Sequence, residues 1–337
     1  FMADRIEVLK GPSTLLYGTG AIGGVVDVHT GRIPHSVPET LNAKVELRGA
    51  DNADQRTAAG MLQAGAGGFA FHLDGFYRDA DEYEIPGFAE SEALRALEEE
   101  EEEGEEGDEA FGILPGSELE KSGGAFGLSF VGDRGFVGAS INRFDATYGL
   151  PGGHEHEHEE GEEEEEGNPI LDLEQTRIDF EAGLAEPFAG AQSLNLRIGF
   201  NDYEHAEIEP SGEVGTLFEN EAVEGRFEVV HLPVAEITGA GGFQFSDREY
   251  SATGEEAYVP PVDTTIWGLF YVGQRSFGLV DLEGGLRYEN VSHDPQFGLS
   301  RSFDVGAASL GLISSLESGW TFALLGDYST RAPTVEE

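Results

Sequence analysis

The chain has 337 residues, of which 66 are acidic and 19 basic, giving a formal net charge of -47, and it has no cysteine. That balance excludes nucleic acid as a partner, and the lack of thiols excludes a disulfide scaffold and cysteine-ligated metal sites. No run approaches the ~18 continuous apolar residues of a membrane helix, and much of the acid lies in two blocks, 98–109 and 155–166, that read as solvated connections.

Taken in chain order, FMADRIEVLKGP reads as the interior of a longer protein whose export signal, if any, lies upstream. Residues 4–30 predict a short strand (Ile6, Val8), a turn at Gly11 and Pro12, a compact glycine-rich segment, and an apolar strand through Val25, Val26 and Val28. Gly18, Gly20, Gly23 and Gly24 permit tight turns and close backbone packing there. A phosphate-binding loop is not indicated: GxxxxGK followed by Ser or Thr is absent, and so is a correctly placed GxGxxG.

From Leu41 onward the dominant signal is period-2 alternation. Ile178, Phe180, Ala182 and Leu184 share one face against Arg177, Asp179, Glu181 and Gly183. Leu194, Leu196, Ile198 and Phe200 repeat the pattern, as do Leu282, Gly284, Leu286 and Tyr288. Such alternation predicts strands with one apolar and one polar face. The polar faces carry Arg, Asp, Glu, Asn and Gly, as a wet lumen would, and the apolar faces are aromatic-rich, as a lipid-facing band would be.

About thirteen strands are expected, with connections alternating between short and long. Gly65–Gly68, Gly132–Gly135, Pro187–Ala191, His231–Ala235, Arg275–Gly278 and Glu317–Gly319 read as short turns. Ala80–Glu120, Tyr148–Ile170, Glu207–Gly215, Tyr250–Asp263 and Val291–Ser302 read as long loops, with Gly49–Arg56 a modest member of that set. Outer-membrane barrels keep short turns in the periplasm and long loops outside. The expected fold class is therefore all-β: an antiparallel transmembrane β-barrel whose acidic blocks sit in extracellular loops near 80–120 and 148–170.

RIEVLKGPSTLLYGTGAIGGVVDV (Arg5–Val28) resembles the end of the plug domain of TonB-dependent outer-membrane receptors, with Arg5, Gly11, Pro12, Gly18, Gly23 and Gly24 as its structural motif. Asp27 stands where that family usually has Asn. TRAPTVEE (Thr330–Glu337) resembles another stretch of the same receptors. The resemblance implies that residues 1–33 are the C-terminal part of a plug and 34–337 an incomplete barrel, about thirteen of about twenty-two strands. It also implies the outer membrane of a Gram-negative bacterium, contact with its lipid, and import driven by the inner-membrane TonB complex through an N-terminal region outside this sequence.

Four further stretches resemble the zinc-uptake receptors of this class: GRIPHSVPE (31–39), YGLPGGHEHEHEE (148–160), DYEHAEIEPSGEVGTLFEN (202–220) and GEEAYVPP (254–261). Without thiolates, Zn²⁺ takes imidazole nitrogen and carboxylate oxygen. His154, His156 and His158 lie two apart, so an extended backbone puts all three on one face, with Glu155, Glu157 and Glu159 beside them. Imidazole turns the preference of an acidic loop from Ca²⁺ toward Zn²⁺, Cu²⁺ or Ni²⁺, and spacing does not choose among these three. The plainer reading of the tract is a low-complexity solvated loop.

A second candidate lies where a strand rises into an outer loop. His205 with Glu207 or Glu209 is the first choice for a structured site, against a hydrogen-bonded polar strand end. His72 and Asp74 face the expected lumen as weaker candidates, and His29, His35, His231 and His293 read as structural.

No plausible Ser/His/Asp order points to an enzyme, and no permanent cofactor is expected. The reading is TonB-dependent import of a divalent metal, zinc first, gathered by His/Glu-rich loops. Two alternatives stay open: a receptor for an iron-siderophore or haem, and a Ca²⁺-binding structural or adhesive barrel. Acidic loops would repel anionic siderophores, and a passive barrel needs no plug.

Overall fold

The computed structural model describes residues 3–10, 13–93, 95, 110–151, 167–254, 257–316, 319–335 and 337. Its first unit is small. β1 (Arg5–Lys10) and β2 (Gly24–His29) pair antiparallel, and α1 (Thr14–Tyr17) makes one helical turn between them. Gly24 opens β2 at φ +145, where an added Cβ would meet the Leu9 carbonyl oxygen at 2.4 Å, so only glycine fits this start.

The remainder is one antiparallel sheet of thirteen strands among the described residues. Its members begin with β3 (Asn42–Ala50), β4 (Gln55–Ala66) and β5 (Phe69–Ala80). After a separate ribbon of β6 (Glu84–Phe88) and β7 (Phe111–Ile113), the sheet continues through β8 (Leu119–Gly132), β9 (Gly135–Gly149), β10 (Ile170–Ala185) and β11 (Ala191–Ile208). It is completed by β12 (Val214–Val234), β13 (Ile237–Gly254), β14 (Val262–Ser276), β15 (Val280–Pro295), β16 (Arg301–Ser315) and β17 (Thr321–Ser329). Every member pairs with its neighbour in the chain, except that β5 pairs with β8 across the β6–β7 ribbon.

Nearest-neighbour antiparallel pairing sends successive connections to alternate edges of the sheet. Residues 67–68, 133–134, 186–190, 235–236, 277–279 and 316–320 turn at one edge; 51–54, 81–118, 150–169, 209–213, 255–261 and 296–300 cross at the other. The strands flanking the sequence of both acidic blocks, β5 and β8 for the first and β9 and β10 for the second, are joined at the second edge. Ala235–Glu236, one of three two-residue turns, has both residues at positive φ (52 and 64), as a type I′ hairpin requires. An ion pair from Arg275 Nη2 to Glu236 Oε2 at 2.6 Å braces it.

Three expected long loops prove shorter because their strands continue. β11 runs to Ile208 before β12 starts at Val214, β13 continues to Gly254, and β15 reaches Pro295. The 80–120 connection is not wholly a loop either. It holds the β6–β7 ribbon, closed by an edge contact between Phe88 and Phe111 at 4.8 Å. Backbone bonds from Asp81 N–H to Ala53 O (2.9 Å) and Glu84 N–H to Asn52 O (3.1 Å) tie the ribbon to the β3–β4 connection. Strands this short, one of them containing Pro86, carry too little alternation to be read from sequence.

The two faces of the sheet differ as the alternation predicts. On the outer face Phe71, Leu73, Phe126, Leu128, Leu269 and Leu286 are exposed. Phe69, Phe130, Phe188, Phe277 and Trp320 form an aromatic belt along the short-turn edge. An exposed apolar band with aromatic borders is the signature of a lipid-facing wall. The inner face buries Ala70, His72, Asp74, Ser129, Asn142, Arg287 and Glu289. Leu269, central in β14, should therefore tolerate charge poorly. Leu269→Arg is expected to destabilise the full-length protein in lipid vesicles by about 2–4 kcal/mol, against about 0–1 for Leu184→Arg beside a short turn, measured by reversible denaturant unfolding.

Candidate functional site

The small N-terminal unit sits against the inner face of the sheet, and a buried ion pair holds it there. Arg287 and Glu289 lie two apart on β15, so both point inward, and their side chains are 1% and 6% exposed. Arg287 Nε donates to Glu289 Oε1 at 2.8 Å. The same guanidinium reaches Gln244 Oε1 (3.1 Å) and the Leu15 carbonyl of α1 (3.3 Å). Glu289 Oε2 accepts the Thr19 N–H at 2.9 Å and also the Thr19 hydroxyl. Arg226 donates to the Leu16 carbonyl while lying 4.3 Å from the Phe270 ring centroid. Each buried charge is thus paired and further hydrogen-bonded, the condition under which burial is tolerable.

Residues 30–41, which join β2 to β3, are pinned along the same wall. Arg32 donates Nε and Nη2 to Asp74 at 3.0 and 3.2 Å. His72 Nε2 donates to Asp74 Oδ2 at 2.8 Å, so its Nδ1 accepts from Gln63 Nε2 at 3.0 Å. Gly127 makes room for this segment, since a Cβ there would stand 1.7 Å from the Arg32 carbonyl oxygen. Beyond it, Ile33 is buried. His35 stacks on Phe136 with centroids 4.0 Å apart and donates Nε2–H to Glu181 at 2.8 Å.

Two further histidines are committed to protein partners. His231 bonds the Leu232 carbonyl and the Tyr271 hydroxyl. His293 accepts from Thr264 and donates to the Pro333 carbonyl, tethering the segment after β17 to β15. In that segment Arg331 donates to both carboxylate oxygens of Glu337 (2.7 and 2.6 Å), and Thr334 N–H adds a third bond at 3.0 Å. These donors, Arg331 first, pull the Glu337 carboxyl down to about 2.

His205 lies near the long-connection end of β11. Its ring stacks on Phe218 of β12 (4.4 Å, 17°), and Nδ1 bonds the Tyr203 hydroxyl at 3.0 Å. In the tautomer that donates Nδ1–H to Tyr203, Nε2 presents a lone pair suited to a metal. Glu207 shares this inner face, whereas Asp202 and Glu204 fall on the other. The donor atoms of His205, Glu207 and Glu209 do not come together as a group of three within 4.8 Å. Strand length accounts for it: β11 ends at Ile208, so Glu209 lies in the turn, its N–H bonded to the Glu213 carbonyl, beyond the face that carries His205 and Glu207. His154, His156, His158, Glu155, Glu157 and Glu159 lie outside the described residues, as do Gly11 and Pro12.

Between the β1–β2 ribbon and the wall is a cavity of about 1260 Å³, lined among others by Asp27, His29, Arg177, Asp179, Glu181 and Arg197. The ribbon turns its polar face, with Glu7, Asp27 and His29, to the sheltered side, while Ile6, Val8, Val26 and Val28 stay exposed. Glu7, Asp27 and His29 form a group of three with donor atoms mutually within 4.8 Å. Reading the sequence alone left Glu7 and Asp27 aside and took His29 as structural. The available signal was Asp27, a carboxylate where the resembled motif has an amide, two residues before an imidazole.

Residues 1–25 match the family model described as the TonB-dependent Receptor Plug Domain. The fold is similar to that of the FrpB iron transporter from Neisseria meningitidis (F3-3 variant), with a TM-score of 0.77 at 14% identity over 98% of this chain and 54% of that one. It is similar also to copper transporter OprC (0.71, 15% identity, 94% and 48% covered). A third likeness is to the pyoverdine outer membrane receptor FpvA from Pseudomonas aeruginosa PAO1 (0.64, 14% identity, 96% and 50% covered). The chain spans about half the length of these solved structures, and at such identities the likeness is one of fold. Removing one partner of a buried ion pair leaves the other uncompensated, at a cost of about 3–5 kcal/mol. Glu289→Ala is accordingly expected to loosen the N-terminal unit from the wall, read as raised ion conductance of the full-length protein in planar bilayers, while Leu286→Ala on the outer face leaves conductance unchanged.

Proposed function

We propose that this chain, which carries a TonB-dependent receptor plug segment inside an outer-membrane barrel fold, belongs to a transporter that imports divalent metal ions, zinc foremost. The observation that carries the reading is the placement of charge. Both acidic blocks, one of them interleaved with His154, His156 and His158, connect strands at the same long-connection edge of the sheet. A strongly negative mouth raises the local concentration and arrival rate of cations. Imidazoles among the carboxylates favour zinc, copper or nickel over calcium or magnesium. His205, on the inner face of a strand that rises to this mouth, is a further ligand for an arriving ion. Capture at the mouth need only be weak and fast, since an ion bound tightly there would not move on. Energy for passage would come from the TonB complex, reached through a part of the receptor outside this chain.

A second reading has its own support: proteins of similar fold are named for iron and for pyoverdine. An iron-chelate receptor needs basic or aromatic loops to hold an anionic ligand, and the -47 charge opposes that.

Calorimetry on the full-length receptor, wild type against His154/His156/His158→Ala, separates the two. Zinc binding with an affinity several-fold weaker in the triple variant and a salt-dependent on-rate is the expected outcome. Absence of zinc binding together with tight binding of an iron chelate would overturn the metal-ion reading.

A further inference from the structure

We propose that Glu7, Asp27 and His29 form a divalent-metal site inside the receptor, built on the plug ribbon and opening into the lumenal cavity. Glu7 and Asp27 are directly opposed across the β1–β2 ladder, as are Arg5 and His29. Opposed residues share a face, so four polar side chains converge on one patch. His29 Nε2 stands 3.4 Å from Asp27 Oδ2 and 3.5 Å from Glu7 Oε2. A tetrahedral ion about 2.0–2.2 Å from each donor needs donor–donor edges of about 3.3–3.6 Å. The two edges to His29 already have that length.

The orientation of the imidazole supports the same conclusion. Arg5 Nη2 lies 3.2 Å from His29 Nε2. A guanidinium can only donate, so Nε2 must accept, and its lone pair points into the cluster. Two carboxylates and a nitrogen lone pair facing one another repel unless a cation lies among them. Arg5, which also lies 3.4 Å from Glu7 Oε1, supplies that positive charge. Its side chain is 60% exposed and free to swing away, so a metal ion can replace it at little cost in packing. Tyr17 donates to Asp27 Oδ2 at 3.1 Å, the kind of outer hydrogen bond that orients a metal-ligating carboxylate.

One imidazole and two carboxylates select a zinc-like ion over Ca²⁺, which takes six to eight oxygens. Three protein ligands also leave a fourth position toward the cavity, as in sites that exchange what they bind. As a binding site the cluster stands on its own geometry; as a station for cargo below the outer mouth, it rests on the metal-import reading above.

The test uses Co²⁺ as a spectroscopic probe on purified full-length receptor carrying His154/His156/His158/His205→Ala, which removes the outer imidazoles. One Co²⁺ per receptor with the intense visible absorption of a tetrahedral site is expected, displaced by Zn²⁺. His29→Ala should abolish it, and Glu7→Gln and Asp27→Asn should weaken it. Tyr17→Phe should weaken it about tenfold. Arg5→Gln should tighten it several-fold, and His35→Ala, in the same cavity, should leave it unchanged. Unchanged binding in His29→Ala, Glu7→Gln and Asp27→Asn, or no binding by the parent, would overturn the site. The import reading fails separately: a receptor that binds Co²⁺ here yet takes up only an iron chelate keeps the site and loses the cargo assignment.

Discussion

A polypeptide crossing hydrocarbon has no water with which to pair its backbone, so every N–H and C=O must find a partner in the chain itself. The ladder from β3 to β17 meets that demand for every strand between its two end members, and the rest of the molecule follows from it. Once the outer face must be apolar, polar chemistry is confined to the inner face and the two rims. The buried polar side chains lie accordingly: Asp74 and His72 on β5, Arg287 and Glu289 on β15, all inward. The inner face in turn receives the N-terminal unit.

This division into faces is why so much of the barrel was legible. A period of two in Ile178–Leu184 or Leu282–Tyr288 is a local property, visible in a few residues, and it recurs often enough to count strands. Connection parity follows from the count. What the local pattern could not show was how far strands run beyond the bilayer, because polar residues such as Glu204, His205 and Glu207 read equally as loop or as strand. It also missed β6 and β7, which are held by an aromatic contact and by bonds to another connection.

The interior site was less legible, for a different reason. Thr19 meets Glu289 across 270 residues of sequence, and Arg32 meets Asp74 through a gap that exists because residue 127 is glycine. No spacing rule encodes such meetings. The Glu7–Asp27 opposition also needs a register, since shifting β2 by one residue would turn Asp27 and His29 away. His205 shows the converse. Sequence proximity to Glu207 and Glu209 suggested a shared site, but β11 stops at Ile208, which leaves Glu209 in the turn and off the face of His205 and Glu207. The Glu7, Asp27 and His29 set is completed across two paired strands, a meeting that no stretch of sequence displays.

The length of β12, 21 residues, has one more consequence. A tilted strand needs only about 9–11 residues to traverse the hydrocarbon, so β11, β12 and β13 stand well clear of it as a rigid palisade. Side chains near their outer ends, His205 among them, are therefore set by the register of β11 on β12, as fixed stones in a parapet are set by their course.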